Sequence, residues 1–523
     1  MAGGRLVTPG AQRPAPPEAN PLDQPRGFDL LRLPGVRPFL RWRYARLVFQ
    51  LPLLLLAAVA VVDGLTGQQS AARNVATASV WLHYRGLVAV ALAVFGNAFC
   101  GACPLMLTRG LTRRAERWLP RKLAWPRRLR GKWLVIASTA AFLWAYEAFD
   151  LWASPWSTAW LVIAYFVAAF AVDTLFPAGT FCRRVCPLGN FNFAFASVSP
   201  TQIAAVEKDV CRRCVHKPCL YGRTTAPLRA GTPRESGRRS DPVPFVPLSE
   251  VLHPNGRGTF PGCETGLYVP AVISNLDCTL CMNCVRACPY DNVALRLRAP
   301  GGELARAPWL RRGGATALVL GVLLAFWGVL NAAAMTAPFH AVAAATAAVL
   351  GTASEAATLA VLYTLLSAAG LGLTVGVATL ADVLGGAPAR PWRAFQRWGY
   401  VVVALGFGVW AAHYLFHFLT GAAAAIPVAE HFFSARGLGS PPDWRLAQLV
   451  PSRWLFPVQA LVTAAYAGLA LMTSVRTGLR AFGRNGAIAM WPMFGFVLAF
   501  TAMLVLLWAQ PMQMRDTMLG PMR

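Results

Sequence analysis

The chain has 523 residues, of which 56% are hydrophobic and only 14% charged, with a formal net charge of +27. So low a charged fraction excludes an ordinary soluble enzyme, in which about a quarter of residues are charged. The excess of cations does not point to nucleic acid, because Lys and Arg gather between long apolar runs, as from Arg109 to Lys132, the pattern of positive loops kept on the cytoplasmic face of a membrane.

Residues 1–40, rich in Pro, Gly and Arg, read as a disordered cytoplasmic tail with no cleavable signal peptide. Apolar runs then predict nine transmembrane helices: Leu47–Gly64, Val80–Phe99, Leu134–Leu151, Ala159–Phe176, Ala315–Met335, Ala357–Val383, Tyr400–Thr420, Leu455–Thr473 and Ile488–Trp508. With the N-terminus inside, the loops Pro104–Lys132, Ala178–Gly314, Gly385–Trp398 and Arg476–Asn485 fall on the cytoplasmic side, and each carries at least two Arg. The opposite loops hold few cations, namely Arg73, Arg436, Arg445 and Arg453. The expected fold class is therefore an all-α polytopic membrane protein of about nine spans in a lipid bilayer. Two hairpins occupy residues 41–177, a cytoplasmic insertion 178–312, a five-span membrane domain 313–510 and an external Met-containing tail 511–523.

The two hairpins end alike. The second predicted span runs into Cys100-Gly-Ala-Cys103-Pro104-Leu105, and the fourth is followed by Cys182-Arg-Arg-Val-Cys186-Pro187-Leu188. A duplicated module would bring these four thiols to one membrane face. A third cluster, another metal centre, a redox-active dithiol pair and buried structural cysteines are all compatible with that pattern.

The strongest chemical signal is Cys278-x2-Cys281-x2-Cys284-x3-Cys288-Pro289 in the insertion. Three closely spaced cysteines wrap one [4Fe-4S] cubane, and in two-cluster ferredoxins the fourth ligates the other cluster. The partner set lies upstream as Cys211-x2-Cys214-x4-Cys219. No cysteine follows at the usual interval, where Arg223 stands, and the next is Cys263, beyond a Pro- and Arg-rich stretch. The expectation is a two-cluster, ferredoxin-like segment with crossed ligand sets. Cys211, Cys214, Cys219 and Cys288 would hold one cluster, and Cys263, Cys278, Cys281 and Cys284 the other. Paired C-x-x-C zinc sites are usually separated by longer gaps, and cytoplasmic reducing conditions disfavour disulfides. Arg234, Arg238 and Arg239 in the insertion could dock an acidic redox partner.

Spans ending in C-x2-C-P and C-x3-C-P, followed by a two-cluster ferredoxin segment, resemble the NapH/NosR/CcoG (FixG, RdxA) group of bacterial membrane iron–sulfur proteins, over about residues 41–297. The resemblance implies a place in the bacterial cytoplasmic (inner) membrane, with clusters on the cytoplasmic side. It also implies electron transfer linked to the quinone pool and a redox partner protein, or alternatively an assembly factor that reduces copper or another metal for a terminal reductase or oxidase. The chain departs from the group in having no flavin-binding domain before the first span, no soluble C-terminal domain, and five further spans.

Those further spans carry histidines. His340 follows the fifth span, His413 and His417 lie near the outer end of the seventh, and His431 is in the next outer loop. Residues four apart share a helix face, and ionisable groups at membrane depth are functional candidates. Haem, copper and quinone are each compatible with imidazoles there, as are interfacial polar residues with ordinary hydrogen bonds. A carrier is attractive physically, because cytoplasmic clusters face a hydrocarbon core ~30 Å thick. Met512, Met514 and Met518 add only a weak thioether signal for copper.

Overall fold

The computed structural model describes residues 24–25, 27–115, 122–224, 259–307, 309–310, 314–447 and 450–512. Arg234, Arg238, Arg239, Met514, Met518 and residues 1–23 lie outside the described residues. The described residues are predominantly helical, with two small antiparallel sheets of two strands each.

The first hairpin is α1 (Ala45–Thr66) and α2 (Val75–Val94), joined by a turn that the apolar runs alone could not close. Asp63 closes it: its carboxylate accepts from the Val75 N–H at 2.8 Å, and Asn74 caps the return by accepting from Ala76 N–H at 2.9 Å. Gly96, at φ 79°, turns the chain back into the short helix α3 (Ala98–Ala102). The second hairpin is α4 (Trp133–Ala148) and α5 (Pro155–Leu175). The α5 helix starts with Pro155 in its first turn, behind a Ser154 hydroxyl that accepts from Ser157 N–H. Two short helices follow, α6 (Thr180–Arg184) and α7 (Pro187–Phe195).

The insertion is closed by a strand pair, β1 (Thr201–Ala205) against β2 (Val293–Leu297), in the register Thr201↔Leu297, Ile203↔Leu295 and Ala205↔Val293. Between the strands lies α8 (Asn283–Ala287). This pairing brings residues some ninety apart in sequence to neighbouring strand ends, so Cys211 and Cys288 start from the same place.

The C-terminal half is α9 (Ala315–Ala333), α10 (Ala337–Leu350), α11 (Glu355–Leu384), α12 (Pro391–Gly421), α13 (Leu455–Phe482) and α14 (Trp491–Trp508). Helices α9 and α12 form its centre, with 83% and 78% of their most apolar stretches buried, against 17% for α11. They approach closely because Gly406 faces Ala325, where an added Cβ would lie 2.8 Å from the alanine's own. Trp410 locks the pair by donating from Nε1 to the Leu324 carbonyl at 2.7 Å.

Eight described helices are long and apolar enough to cross a membrane, and they fall on eight of the nine expected spans. The ninth expectation, Leu134–Leu151, is corrected to α4, which has only 16 residues. At 1.5 Å per residue it is about 24 Å long, short of a ~30 Å hydrocarbon core. Buried Lys132 at its start and buried Glu147 in its last turn bound it. The stretch 336–355, expected as a plain loop, holds the apolar helix α10, of 14 residues. Residues 24–40, expected as part of a disordered tail, pack on the insertion instead. Gln24 is buried, donates to the carbonyls of Val269 and Val272 and accepts from Ala205 N–H. Asp29 accepts from Leu295 N–H, and Arg37 pairs with both Asp29 and Asp291. These polar anchors are scattered singly through the sequence, so composition hid them.

Candidate functional site

Twelve free cysteines form three groups. The first is built where the β1–β2 pair opens. Cys211, Cys214, Cys219 and Cys288 line one partly open cavity with Tyr268, Tyr290 and Asn292. Asn292 ties its two ends together: its side-chain amide donates to Cys211 Sγ at 3.1 Å and its backbone N–H to Cys288 Sγ at 3.4 Å. The same amide donates to the Glu207 carbonyl and accepts from Glu207 N–H, which pins its rotamer. Burial pushes the Cys211 thiol up to about 11, and neighbouring Cys288 pushes the same way.

The second group surrounds the 278–284 loop. Burial pushes the Cys284 thiol well up, and the charges of Cys281, Cys263 and Cys278 add to it. Leu280 and Met282 both take left-handed backbone conformations, at φ 49° and 57°. Cys263 Sγ accepts from Leu267 N–H at 3.2 Å. Cys288 N–H donates to the Cys284 carbonyl at 3.1 Å, while its thiol lines the first cavity.

The third group joins the two hairpin ends. Cys186 caps α7, its Sγ accepting from Gly189 N–H at 3.2 Å ahead of Pro187, and Cys103 stands just before the one-turn helix Pro104–Leu107. Asn192 of α7 reaches across and donates to Cys100 Sγ at 3.4 Å. Burial raises the Cys182 thiol; Arg109 opposes this, while Cys186 and Cys103 reinforce it. All four thiols of the duplicated motif are thus neighbours.

Two buried charge clusters dock the insertion on these hairpin ends. Glu264, next to Cys263, pairs with Arg46 at the start of α1 and with Arg109 at 3.2 Å, while Arg46 Nε also donates to the Gly101 carbonyl at 2.6 Å. Asp277, next to Cys278, pairs with Lys132 at 2.6 Å and Arg183 at 2.9 Å, and Lys132 also donates to Asn190 of α7 at 2.6 Å. Burial alone would raise both carboxyls, but Arg46 and Arg109 hold Glu264 below its usual range, and Lys132 and Arg183 do the same for Asp277. Asn97 donates to the Cys278 carbonyl at 3.1 Å, and a Cβ on Gly101 would lie 2.9 Å from the Leu280 carbonyl oxygen. The second and third cysteine groups are therefore fastened to each other.

The four histidines do not form one group. His413 and His417 are buried, with rings 4.7 Å apart, and line a cavity with Tyr146, Glu147, Trp152, Asn331 and Met335. His340 instead faces the Ala334 carbonyl at 3.0 Å, and His431 lies on Trp444 with ring centroids 5.9 Å apart. Of the four histidines expected on the external side, only His413 and His417 come together; His340 lies on α10 and His431 on the helix Ala425–Ser434, each with a partner of its own. Among the described residues, no three or more His, Cys, Asp and Glu side chains converge as a group able to hold a single metal ion.

Sequence reasoning missed Asn292, Glu264, Asp277 and Arg85. Arg85 lies on α2, only 6% exposed, and its guanidinium donates to the Tyr146 hydroxyl at 3.0 Å and sits over the rings of Trp81 and Tyr414. A cation inside an apolar run, and an acid directly beside a motif cysteine, were the available signals. No family model, curated protein or solved structure matches the chain.

Proposed function

We propose that the chain is a membrane iron–sulfur protein that passes single electrons between the quinone pool and a respiratory redox partner. Cys211, Cys214, Cys219 and Cys288 would hold one [4Fe-4S] cluster, and Cys263, Cys278, Cys281 and Cys284 a second. The observation that carries this is that Cys288, four positions beyond Cys284, shares a cavity with Cys211, Cys214 and Cys219. A fourth cysteine placed with the other set is the signature of two-cluster ferredoxins.

The surroundings fit such groups. Four cysteines bounding a hollow suit a bulky cluster, whereas one tetrahedral zinc with Zn–S near ~2.3 Å would need its sulfurs gathered at a point. Left-handed residues between cysteines are typical of the backbone nests found at Fe–S sites. The clusters, when bound, supply one-electron chemistry. The chain's own residues orient the sulfurs: Asn292 and the Leu267 N–H direct hydrogen bonds at them, which tune potential. The cationic pairs at Glu264 and Asp277 hold the segment against the membrane helices, where the Cys100, Cys103, Cys182 and Cys186 quartet could carry a third centre or a redox dithiol.

Iron and acid-labile sulfide analysis with electron paramagnetic resonance after reduction tests this. About eight irons per chain are expected for two clusters, and about twelve if the quartet holds a third. Zinc without sulfide would overturn it.

A further inference from the structure

We propose that the first cysteine group opens onto a docking surface for a small, acidic, one-electron carrier protein. Among the described residues of the insertion, only two large apolar side chains are exposed, Val215 at 69% and Tyr221 at 67%. Both lie on the segment that carries three of that group's four thiols: Val215 directly follows Cys214, and Tyr221 stands two positions beyond Cys219. Exposed apolar residues scattered singly mean little, whereas a pair confined to one functional loop marks a place of contact.

The fold holds these two side chains outward. Pro218 and Cys219 between them are buried, and Tyr221 N–H donates to the Lys217 carbonyl at 3.2 Å, closing a turn that starts at the left-handed Lys217, φ 45°. The Lys217 ammonium in turn lies 5.3 Å from the centre of the Tyr268 ring. Tyr268 lines the cavity of the first group and donates its hydroxyl to the Cys211 carbonyl at 2.9 Å. A cation is thus fixed at the rim of the thiol cavity, two positions from Val215.

Charge selects the partner. Between β1 and Tyr221 the exposed cations are Lys208, Arg212, Arg213 and Lys217, against the exposed acids Glu207 and Asp209. Arg212 pairs with Asp209, but their side chains are 78% and 69% exposed, so water screens the pair and the local excess of cations remains. Such a field draws in an acidic face and repels a basic one. An apolar centre with a charged rim is the usual build of a protein interface.

The second cysteine group is placed differently. Its loop is fastened to the hairpin ends, with Asn97 on the Cys278 carbonyl and Gly101 against the Leu280 carbonyl. The first group is therefore the one that adjoins apolar surface a partner can cover. One electron crosses there, the donor oxidised by one and the acceptor reduced by one, and no bond forms or breaks. The chain's own part is to hold the carrier's acidic face at the cavity rim.

This assignment rests on the electron-transfer reading above, and its test separates the two. The full-length protein in lipid nanodiscs, with iron and sulfide measured on every sample, is presented with a small acidic bacterial ferredoxin. Association and dissociation are followed by surface plasmon resonance at low and at high salt. Saturable binding that weakens with salt is expected. Arg212→Glu and Lys217→Glu should each slow association about tenfold, and Tyr221→Ser should speed dissociation about tenfold, all with iron unchanged. Arg128→Glu, an equal change of charge at an exposed position before α4, should alter neither rate. Failure of the wild type to bind while its iron and sulfide are intact, or an equal loss in Arg128→Glu, overturns the docking surface and leaves the clusters standing. Self-association of the wild type that disappears in Tyr221→Ser would assign the face to a second copy of the chain and overturn the proposal too. Ferredoxin binding by a protein without iron or sulfide would overturn the electron-transfer reading instead.

Discussion

The two halves of the molecule are held together by different physics. Residues 24–307 depend on directional buried charges: Arg46 and Arg109 on Glu264, Lys132 and Arg183 on Asp277, and Arg298 on Glu303 at 2.6 Å with both side chains almost wholly buried. Residues 314–512 depend on shape, with Gly406 against Ala325, Trp410 on the Leu324 carbonyl, and rings packed edge to face along α12. The difference has a reason. Loops carrying cysteines have little apolar surface with which to find their place, and ion pairs fix position and angle where packing cannot. Helices in lipid gain nothing hydrophobic by leaving it for each other, so close contact between small residues decides their arrangement.

The largest effect that would break this contrast concerns the cysteines. Cys288→Ala and Cys214→Ala should each lose about four irons and erase the same paramagnetic signal, while Cys284→Ala erases the other. Shared loss by Cys288→Ala and Cys284→Ala would mean that the ligand sets are not crossed. Next comes Asp277→Ala, which strands Lys132, a residue 5% exposed, without its carboxylate. Breaking one side of a buried pair costs ~3–5 kcal/mol, to be seen as a lower unfolding temperature in detergent. Asp382→Ala in the other half should cost less, since its partner Arg397 keeps a third of its side chain in contact with the surroundings.

Two glycines sharpen the comparison. Gly101→Val presses on the Leu280 carbonyl and Gly406→Val on Ala325, and overpacking of this kind costs ~1–3 kcal/mol. Both variants should be destabilised similarly, but only Gly101→Val should change the paramagnetic spectrum, because only it touches a cysteine loop.

Acid should act on the first half. Asp277 and Glu264 are held below their usual ranges, so their stabilisation is fully present above the unfolded-chain values of about 3.9 and 4.3 and is lost as pH falls through the lower folded values. Unfolding temperature should therefore decline below about pH 4, and Asp277→Asn should flatten that decline; an unaltered acid limb would show that the pair is not carrying it. The smallest effect is expected from His340→Ala, which removes one partly buried contact to Ala334. About 0.5–1.5 kcal/mol, with no change in iron content, is expected by the same melts.

What composition and spacing could determine was whatever is written in local patterns. Apolar runs gave eight helices their places because burial in a bilayer needs only length and the absence of charge. The cysteine runs were readable because they stand at short, regular intervals, and the structure places Cys288 in one cavity with Cys211, Cys214 and Cys219. Tertiary structure alone decided the rest. Asn292 reaches Cys211 across 81 positions and Lys132 reaches Asp277 across 145. The packing of Gln24 and Asp29 converted an apparent tail into part of the insertion. Four histidines that looked alike in sequence were sorted into a buried pair and two separate, half-buried contacts by how the helices that carry them pack. Contacts between distant segments depend on the path of the whole backbone, and no local periodicity encodes that path.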